Sequence, residues 1–426
     1  MDQTISFLYE KFLASDGVCT DTRALQKNQI FFALKGDSFN GNTYASKALK
    51  AGALLVVIDE EEFSEGNKCL LVEDVLLTLQ ELAIHHRDQF DIPFFGITGS
   101  NGKTSTKELT ARVMGADRKV QCTKGNLNNH IGVPLTVLSI QKDTDFAIIE
   151  MGANHIGEIA RLCEIAKPTH GLITNIGTAH IGEFGGQEAI IRAKSELFDY
   201  LRKSEGVPFI NVADRVLNNM IKRFDNAVTY PNESCTLQSA TPFVHYIDEY
   251  GETHATEMIG AYNFANISAA VTVGKYFGSQ DPYKAIDGYM PENNRSQLIE
   301  LSSNTVILDA YNANPDSILA ALENLAVIKS DNKVAILGDM KELGVYSHEE
   351  HRKIIDFAET LDLKQVYLVG NDFCEAFDHN RSKVFRKIEE LIIELRQHPL
   401  VAATVLIKGS RGMRMEQLID CVDIWN

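Results

Sequence analysis

One short stretch of the chain combines an apolar strand, a glycine-rich turn and the start of a helix. Residues 94–109 read FFGITGSNGKTSTKEL. Small residues let backbone N–H groups approach an anion closely, and a helix N-terminus adds partial positive charge. The stretch therefore predicts a phosphate-binding loop between a strand and a helix. The residues predicted to bind the nucleotide are Thr98, Gly99, Ser100, Asn101, Gly102, Lys103, Thr104 and Ser105.

Within this loop, Lys103 is expected to contact the β- and γ-phosphates and Thr104 to offer its hydroxyl to Mg²⁺. The strict phosphate-loop pattern requires glycine at position 97, where this chain has Ile97. The remaining GxxGKT pattern is less restrictive. A plain strand-to-helix turn with a surface lysine is the alternative, and three glycines followed by Lys-Thr make it the weaker interpretation. A switch GTPase is expected to carry an NKxD segment that recognises guanine. The NKVA sequence at 332–335 does not match this pattern, so a switch GTPase is disfavoured.

The length, net charge and cysteine content of the chain narrow the class of protein further. A chain of 426 residues exceeds one hydrophobic core and suggests two or three domains. The 41 basic and 58 acidic residues give a net charge of −17, which argues against a nucleic-acid partner. Seven scattered cysteines without a CxxC pair predict a reducing compartment, with no disulfide framework or zinc cage. Because MDQTISFLYEKFLAS lacks the features of a signal peptide and no run is long enough to span a bilayer, we expect a cytoplasmic protein without membrane insertion.

Short β-rich runs alternate with helical patterns, which predicts an α/β fold. We expect three domains: a small N-terminal α/β domain over 1–90, a central phosphate-loop domain with a mostly parallel sheet over 91–295, and a C-terminal Rossmann-like domain over 296–426. In the last of these, NTVILD, KVAILG, QVYLV and ATVLIK are interpreted as four buried parallel strands.

Polar and charged residues follow the carboxyl ends of the predicted strands. They are Thr98 to Thr104, Glu150, His180, Asp309, Asp339 and Lys408. Open α/β sheets bind ligands outside these strand ends, so two such sheets facing each other would form a cleft between domains.

For three of the candidate side chains, the residue type and position favour three different roles. Glu150 supplies a hard oxygen suited to Mg²⁺, and its place after a strand favours that interpretation over a solvent-exposed role. His180 is, by spacing alone, more typical of a structural histidine. Lys194 lies in the helical stretch QEAIIRAKSELFDYL and is expected to be an ordinary surface lysine.

Seven further motifs follow the loop in a fixed order and closely resemble the ATP-dependent Mur ligases of peptidoglycan synthesis. They are TKGNLNNHIGVPLT (123–136), IIEMGANHIGEI (148–159), TNIGTAHIGEFGG (174–186), GAYNFANISAA (260–270), DAYNANPDSILAAL (309–322), LGDMKELG (337–344) and KGSRGMRME (408–416). The opening region DTRALQKNQIFFALKGDSFNG (21–41) is similar to the family's UDP-binding segment. Within the family the series is most similar to the enzymes that join D-alanyl-D-alanine to UDP-N-acetylmuramoyl-tripeptide.

The resemblance implies an activity and a metal set. A substrate carboxylate attacks the γ-phosphate of ATP to give an acyl phosphate and ADP, and the amine of the dipeptide then displaces phosphate. The resemblance makes Lys103, Glu150, His180 and Lys194 the catalytic residues. It also implies two Mg²⁺ ions, held by Thr104, Glu150, His180 and Lys194, the last as a carbamate.

The resemblance also assigns binding residues for each substrate. For ATP they include Asn263 and Asn266 at adenine, Arg295 across the cleft and Asp309 at the ribose or phosphates. For the UDP-sugar they are Asp21, Thr22, Arg23, Asn40 and Gly41, with Asn128 and Asn129 at the reacting end of that substrate. For the dipeptide they are Asn312, Asn314, Lys408, Ser410 and Arg411.

Two alternatives to this interpretation stay open. One is a neighbouring amide ligase, either the preceding Mur enzyme or a folylpolyglutamate synthase. YNANPDS (311–317) counts against the former and the first ninety residues against the latter. The other is a nucleotide-dependent switch without ligase activity. We expect a monomer. No motif identifies the third residue of the peptide, meso-diaminopimelate or lysine, or a general base for the amine.

Overall fold

The computed structural model describes residues 3–291, 295–378 and 381–425 and consists of three α/β domains in chain order. Each domain is organised around one parallel or mostly parallel sheet. The α/β class and the three domains expected from the sequence are confirmed. In the described part of the chain, no helix has both the length and the apolar character needed to cross a membrane.

The N-terminal domain has a four-stranded parallel sheet in the order β1-β2-β5-β6. Its buried strands β2 and β5 carry the apolar runs IFF and LVVI. A two-stranded hairpin, β3 and β4, follows β2. The elements are α1 (Gln3–Leu13), β1 (Val18–Cys19), β2 (Ile30–Phe32), β3 (Lys35–Gly36), β4 (Phe39–Asn40), α2 (Ala45–Lys50), β5 (Leu55–Ile58), β6 (Cys69–Leu71) and α3 (Val75–Arg87).

The central domain has a six-stranded parallel sheet in the order β12-β11-β10-β7-β9-β8. A separate three-stranded antiparallel sheet, β13-β14-β15, precedes its last helix. The elements are β7 (Phe94–Thr98), α4 (Lys103–Met114), β8 (Val120–Cys122), α5 (Gly132–Leu138), β9 (Phe146–Glu150), α6 (Glu158–Ala166), β10 (His170–Ile173), α7 (Ile181–Phe184), α8 (Gln187–Lys203), β11 (Val207–Asn211), α9 (Arg215–Asn218), β12 (Val228–Tyr230), β13 (Cys235–Ser239), β14 (Phe243–Asp248), β15 (Thr253–Ile259) and α10 (Asn263–Tyr276).

The C-terminal domain has a six-stranded sheet in the order β16-β17-β21-β18-β19-β20. All neighbours are parallel except the edge strand β16, which is antiparallel to β17. The elements are β16 (Gln297–Leu301), β17 (Asn304–Asp309), α11 (Pro315–Val327), β18 (Lys333–Gly338), α12 (Ser347–Thr360), β19 (Gln365–Val369), α13 (Asn371–Ala376), β20 (Lys383–Phe385), α14 (Ile388–Gln397) and β21 (Thr404–Lys408).

The four buried parallel strands expected in the last third of the chain are confirmed as β17, β18, β19 and β21. The sequence analysis missed the small antiparallel sheet and the edge strand β16. Burial of β14 alternates residue by residue, and half-buried alternation is a weaker signal than the continuous apolar runs of a doubly covered sheet. The segment PENNRSQL, where the last domain was expected to begin, includes residues 292–294, which lie outside the described part of the chain.

A buried arginine joins the N-terminal domain to the central one. Arg87 ends α3, and its guanidinium donates to the carbonyls of Ala166 at 2.9 Å, Lys167 at 3.0 Å and Phe90 at 2.8 Å. It also lies 3.6 Å from the centroid of the Phe94 ring. Two of these carbonyls belong to the end of α6, where the helix dipole favours a cation. Arg87 is therefore an anchor between the two domains.

Replacing Arg87 with methionine is expected to lower the free energy of unfolding by roughly 2–4 kcal/mol, because three buried carbonyls lose charged donors. Urea unfolding followed by circular dichroism measures the change. Arg202→Met, at an exposed position in the last turn of α8, is the matched control. A loss no larger than that of the control would show that the anchor contributes nothing.

Candidate active site

The turn after β7 is shaped by two glycines with positive φ. Gly99 has φ +141° and Gly102 has φ +78°, conformations that favour glycine over other residues. A Cβ on Gly99 would lie 1.9 Å from Thr174 Oγ1, so a side chain is excluded there by space as well. Helix α4 then begins at Lys103, as expected. The loop thus directs backbone amides and a helix N-terminus towards one point.

The strand next to β7 holds this loop in place. The Asn101 N–H donates to Asn175 Oδ1 at 3.0 Å, and the Asn101 carbonyl accepts from Asn175 Nδ2 at 2.9 Å and Thr174 Oγ1 at 2.6 Å. The Ser100 N–H donates to the Asn175 carbonyl at 3.1 Å. Strand β10, which precedes these two residues, is a parallel neighbour of β7. The bracing follows because both strands end at the same edge of the sheet.

Lys103 lies inside the turn. Its Nζ donates to the carbonyls of Gly99 at 2.7 Å and Ser100 at 3.1 Å. Burial lowers the pKa of the Lys103 ammonium, Glu150 opposes that change, and Arg295 adds to it. Among the described residues, the hydrogen bonds of the Lys103 ammonium go to neutral carbonyls and Arg295 lies near it, so this ammonium is well suited to an anionic partner.

Glu150 ends β9 and has an exposure of only 2%. Its Oε1 accepts from Asn128 Nδ2 at 2.8 Å and lies 3.3 Å from Thr104 Oγ1, which donates to it. Its Oε2 is buried and has no hydrogen-bond partner among the described residues. An unpartnered buried carboxylate oxygen beside a hydroxyl fits a hard cation such as Mg²⁺.

Lys194 lies in α8 and is 1% exposed, so the surface lysine expected from the helical pattern alone is wrong. Its Nζ donates to the Ala153 carbonyl at 3.2 Å and lies 5.2 Å from the centroid of the Phe184 ring. Burial, with a further contribution from Lys103, lowers the pKa of Lys194 to about 7, against the opposing effects of Glu158 and Glu196. A pKa near 7 makes part of the Lys194 population a neutral amine at neutral pH, and the neutral amine is the nucleophilic form.

His180 precedes α7 and has φ +60°. Its Nδ1 lies 2.6 Å from Glu342 Oε2 of the C-terminal domain and 3.6 Å from Glu183 Oε2. This approach does not meet the geometry of an aligned hydrogen bond, so it is a close polar contact. The contact with His180 lowers the pKa of the Glu342 carboxyl. His180 thus lies where the central and C-terminal domains meet.

Lys103, Glu150 and His180 line one cavity of about 960 Å³ between the central and C-terminal domains, whereas Lys194 does not. The cleft predicted from the strand ends is therefore present. The predicted site residues that line it are Ser100, Asn101, Gly102, Lys103, Thr104, Ser105, Asn128, Asn129, Glu150, His180, Asn263, Asn266, Arg295, Asp309, Asn312, Asn314 and Lys408.

The C-terminal domain contributes a buried ion pair to this cavity. Lys408 is 2% exposed and donates to Asp309 Oδ2 at 2.5 Å and to the Asn312 carbonyl at 3.2 Å. Asp309 and Lys408 are opposite each other in the paired strands β17 and β21. Asn314 caps α11 and donates to Asn101 Oδ1 in the phosphate loop at 2.7 Å. The two domains are thus in direct polar contact at the phosphate loop.

Three other predicted residues line the cavity at its nucleotide side. Asn263 begins α10, its Nδ2 donates to the Ile259 carbonyl at 2.8 Å, and its Oδ1 accepts from Asn266 at 2.9 Å. A Cβ on Gly102 would lie 2.6 Å from Asn266 Oδ1, so the pair packs against the loop. Arg295 stacks on Tyr311, with its guanidinium carbon 3.6 Å from the ring centroid.

Ten predicted residues do not line this cavity. Thr98 and Gly99 are buried at the start of the loop, and Lys194 is buried outside the cavity lining. Ser410 is buried, accepts from the Lys341 N–H at 2.8 Å and donates to the Ala313 carbonyl at 3.4 Å. Arg411 is exposed and pairs with Glu416 at 3.2 Å. The N-terminal group forms the remainder and consists of Asp21, Thr22, Arg23, Asn40 and Gly41.

In the N-terminal group, Asp21 to Arg23 follow β1, whereas Asn40 ends the hairpin strand β4 and Gly41 comes directly after it. Asp21 pairs with Arg23 at 2.6 Å on the surface, and this pairing lowers the pKa of Asp21 to about 2. Asn40 donates to Glu60 at 2.9 Å and accepts from the Asn42 N–H at 2.9 Å. The N-terminal group therefore lies outside the main cavity.

Sequence reasoning missed three residues that shape the cavity. Asn175 braces the loop, Tyr311 stacks on Arg295, and Asp316 accepts from the Thr178 hydroxyl at 2.8 Å and from its N–H at 2.5 Å. Each lies inside a quoted motif, but only Tyr311 is adjacent to a predicted site residue, Asn312. Their position after a strand or at the start of a helix is the only sequence signal that could have identified them as site residues.

The fold and the site define a phosphate-loop protein whose nucleotide-binding domain shares its cavity with a second α/β domain. Family models match along most of the chain: the Mur ligase family catalytic domain over 15–85, the Mur ligase middle domain over 97–274 and the Mur ligase glutamate ligase domain over 294–411. The chain belongs to the Mur ligase family, the ATP-dependent peptide ligases, as the sequence motifs indicated.

Among its relatives are two proteins named UDP-N-acetylmuramoyl-tripeptide–D-alanyl-D-alanine ligase. That of Bacillus subtilis is 32% identical over 95% of this chain and 92% of its own length, and that of Synechocystis is 38% identical over 84% and 80%. A crystal structure of MurF from Acinetobacter baumannii is similar, with a TM-score of 0.85 and 28% identity over 97% of this chain and 98% of that one.

Replacing Lys194 with methionine is expected to stabilise the unliganded protein by about 1–3 kcal/mol at pH 7 in CO₂-free buffer, because a buried cation is removed. The pKa of Lys194 is about 7 when folded and 10.5 when unfolded, so the unfolded chain binds more protons between these values. The gain should be largest below pH 7 and shrink as the pH rises towards 10.5.

Thermal unfolding at several pH values measures this gain. Lys203→Met, at an exposed position in the same helix, is the control. A gain that is absent, or that grows with pH, would contradict the desolvation of Lys194.

Proposed function

We propose that this chain joins D-alanyl-D-alanine to UDP-N-acetylmuramoyl-tripeptide at the expense of ATP, giving ADP, phosphate and the UDP-muramoyl-pentapeptide in peptidoglycan precursor synthesis. The observation that carries the proposal is the meeting of two groups in one cavity. The phosphate loop with Lys103 and Glu150 comes from the central domain, and the Asp309–Lys408 pair comes from the C-terminal domain. The names of the full-length relatives support the choice of substrates.

We assign the three domains to three ligands, with boundaries near residues 90 and 295. The N-terminal domain binds the UDP-sugar at the edge that carries Asp21 to Arg23 and Asn40. The central domain binds ATP at the phosphate loop, with Asn263 and Asn266 at adenine. The C-terminal domain presents the dipeptide. A cavity between the last two domains is the place where carboxylate, γ-phosphate and amine would meet.

Phosphoryl transfer between two anions depends on positioning and on neutralising charge. Lys103 and the backbone amides of the loop hold the β- and γ-phosphates, and Arg295 adds positive charge from the domain boundary. Glu150 Oε2 and the Thr104 hydroxyl would hold a Mg²⁺ ion, which supplies further charge neutralisation at the phosphates. Packing of two domains around the cavity excludes water from the acyl phosphate, which would otherwise be hydrolysed.

A second Mg²⁺ would be held by His180 and a carbamate of Lys194. An ammonium repels a metal ion, whereas addition of CO₂ to the neutral amine of Lys194, with loss of a proton, creates an oxygen ligand. The burial of Lys194 beside a single carbonyl supports this assignment, because burial favours the uncharged amine. Asn128 and Asn129 would hold the reacting end of the tripeptide substrate.

The dipeptide is assigned to residues around α11 and β21. Asn312, Asn314 and Lys408 line the cavity, and Ser410 and Arg411 follow Lys408 directly. A carboxylate of the dipeptide would find a cation at Lys408 or Arg411. The proposal also places the protein in the cytoplasm as a monomer.

The competing interpretations are less well supported. A nucleotide-dependent switch would need neither the buried Lys194 nor the half-buried His180 that the proposal uses to hold a second metal. The preceding ligase of the pathway and a folylpolyglutamate synthase act on other substrates, and the relatives reported above carry neither name.

Phosphate release from ATP and Mg²⁺ should require both the UDP-muramoyl-tripeptide and D-alanyl-D-alanine and should match pentapeptide formation one to one. Replacing Glu150 with glutamine should lower kcat by about a hundredfold, because charge at the phosphates is left uncompensated. Glu205→Gln, on an exposed loop of the same domain, should leave kcat unchanged. Phosphate release that ignores the dipeptide would refute the assignment and favour a switch ATPase.

Carbamylation of Lys194 should be visible without an activity assay. In ¹³C-bicarbonate the wild-type protein should show a carbamate resonance by ¹³C NMR that is absent from Lys194→Ala. Lys107, also buried and 1% exposed, remains in that variant as an internal control. A spectrum in which both proteins give the same resonance would overturn the carbamate.

A further inference from the structure

A loop of the C-terminal domain lies on the short helix α7 of the central domain. The loop comprises residues 340–346, between β18 and α12. Glu342 Oε2 lies 2.6 Å from His180 Nδ1, and the Glu342 carbonyl accepts from the Gly182 N–H at 3.1 Å. One residue of the loop therefore contacts α7 with both its side chain and its backbone.

The fit between the loop and α7 leaves no room for a side chain. A Cβ on Gly182 would lie 2.3 Å from the Leu343 carbonyl carbon and 2.4 Å from Gly344 N. Beneath this contact, Leu343 is 1% exposed and belongs to the same apolar cluster as Ile181 and Phe184. The loop and α7 therefore form a closely packed interface in addition to the contact between Glu342 and His180.

The base of the loop is held firmly by its own domain. The Met340 N–H donates to His351 Nε2 at 3.0 Å, and the Lys341 N–H donates to Ser410 Oγ at 2.8 Å. His351 and Ser410 are buried. Because both anchors lie in the C-terminal domain, the loop moves with that domain as one body.

Helix α7 links this contact to two residues of the proposed metal site. His180 lies directly before the helix, and Phe184 at its end places its ring 5.2 Å from Lys194 Nζ. Tyr346, at the far end of the loop, approaches the start of α8, since a Cβ on Gly186 would lie 3.6 Å from its hydroxyl. The loop thus spans α7 from His180 to the helix that carries Lys194.

We propose that Glu342 is a positioning residue: when the C-terminal domain docks, Glu342 and the 340–346 loop fix α7, and so fix His180 and Lys194 for the reaction. This inference rests on the proposed ligase function. It assigns to Glu342 a role that acts through His180 and Phe184 and involves no contact with substrate. Binding of nucleotide to the central domain alone does not need the contact.

The single tryptophan of the chain offers a readout independent of chemistry. Trp425 is buried in the C-terminal domain, so energy transfer from Trp425 to mant-labelled ADP on the central domain reports docking of the two domains. In the full-length protein with Mg²⁺ and UDP-muramoyl-tripeptide, Glu342→Gln should lower the transfer efficiency. It should also lower kcat roughly tenfold, with the KM for ATP within about twofold of wild type.

Two further variants sharpen the test. Gly182→Ala should reproduce the effect of Glu342→Gln, because the added methyl separates the loop from α7. Glu349→Gln, at an exposed position in α12 of the same domain, should behave as wild type. If Gly182→Ala does not fold, Glu342→Gln alone decides the matter.

The proposal is overturned if Glu342→Gln matches Glu349→Gln in both energy transfer and kcat. It is equally overturned if Glu342→Gln only reduces the folded fraction, with normal kcat per folded molecule. Failure of the proposed function would look different: the wild-type protein would bind mant-ADP and form no pentapeptide.

Discussion

The site depends on one backbone arrangement, the turn between β7 and α4 held against the end of β10. Gly99 and Gly102 adopt positive φ, and the turn's polar backbone groups are satisfied by Thr174 and Asn175 together with the ammonium of Lys103. An unsupported turn of this kind would leave buried amide and carbonyl groups without partners, at a cost in free energy. The parallel pairing of β7 with β10 supplies those partners, so the sheet topology itself creates the anion site.

The same topology explains why charged side chains can be buried here. Glu150, Lys194 and Lys408 are each at most 2% exposed, yet each has a polar partner at a strand end or in the adjacent loop. Buried charges reduce stability unless they are paired, and Glu150 Oε2 has no hydrogen-bond partner among the described residues. Such a site is unfavourable to the unliganded fold and favourable to a cation that would bind it.

Contacts between domains complete the cavity. Asn314 and Asp316, at the start of α11, reach the phosphate loop and Thr178, while the 340–346 loop reaches α7. The N-terminal domain is instead joined to the central domain through Arg87, which contacts the C-terminal end of α6. The central domain is therefore the common partner, and the geometry of the reacting groups depends on how the C-terminal domain rests on it.

Much of this could be predicted from the sequence. The continuous apolar runs FFGIT, FAIIE and TVLIK determine buried parallel strands, and the residues that follow them lie at the sheet edge because every parallel strand ends on the same side. That regularity predicts that Lys103, Glu150, Asp309 and Lys408 share one cavity, and the structure brings them together there; Asp339, predicted with them, does not line the cavity. Local chemistry also predicted the start of α4, since glycine at position 102 permits the conformation that precedes the helix.

Other features were decided only by the tertiary structure. The helical pattern around Lys194 gives no sign that this lysine is buried, because burial comes from Phe184 and Ala153, which lie elsewhere in the chain. Likewise, nothing near Glu342 in sequence indicates His180, since the two are joined only when separate domains meet. Periodicity and motif order are properties of neighbouring residues and so determined the strands, the loop and the family. Burial and contacts between domains depend on residues far apart in sequence, so only the folded chain could decide them.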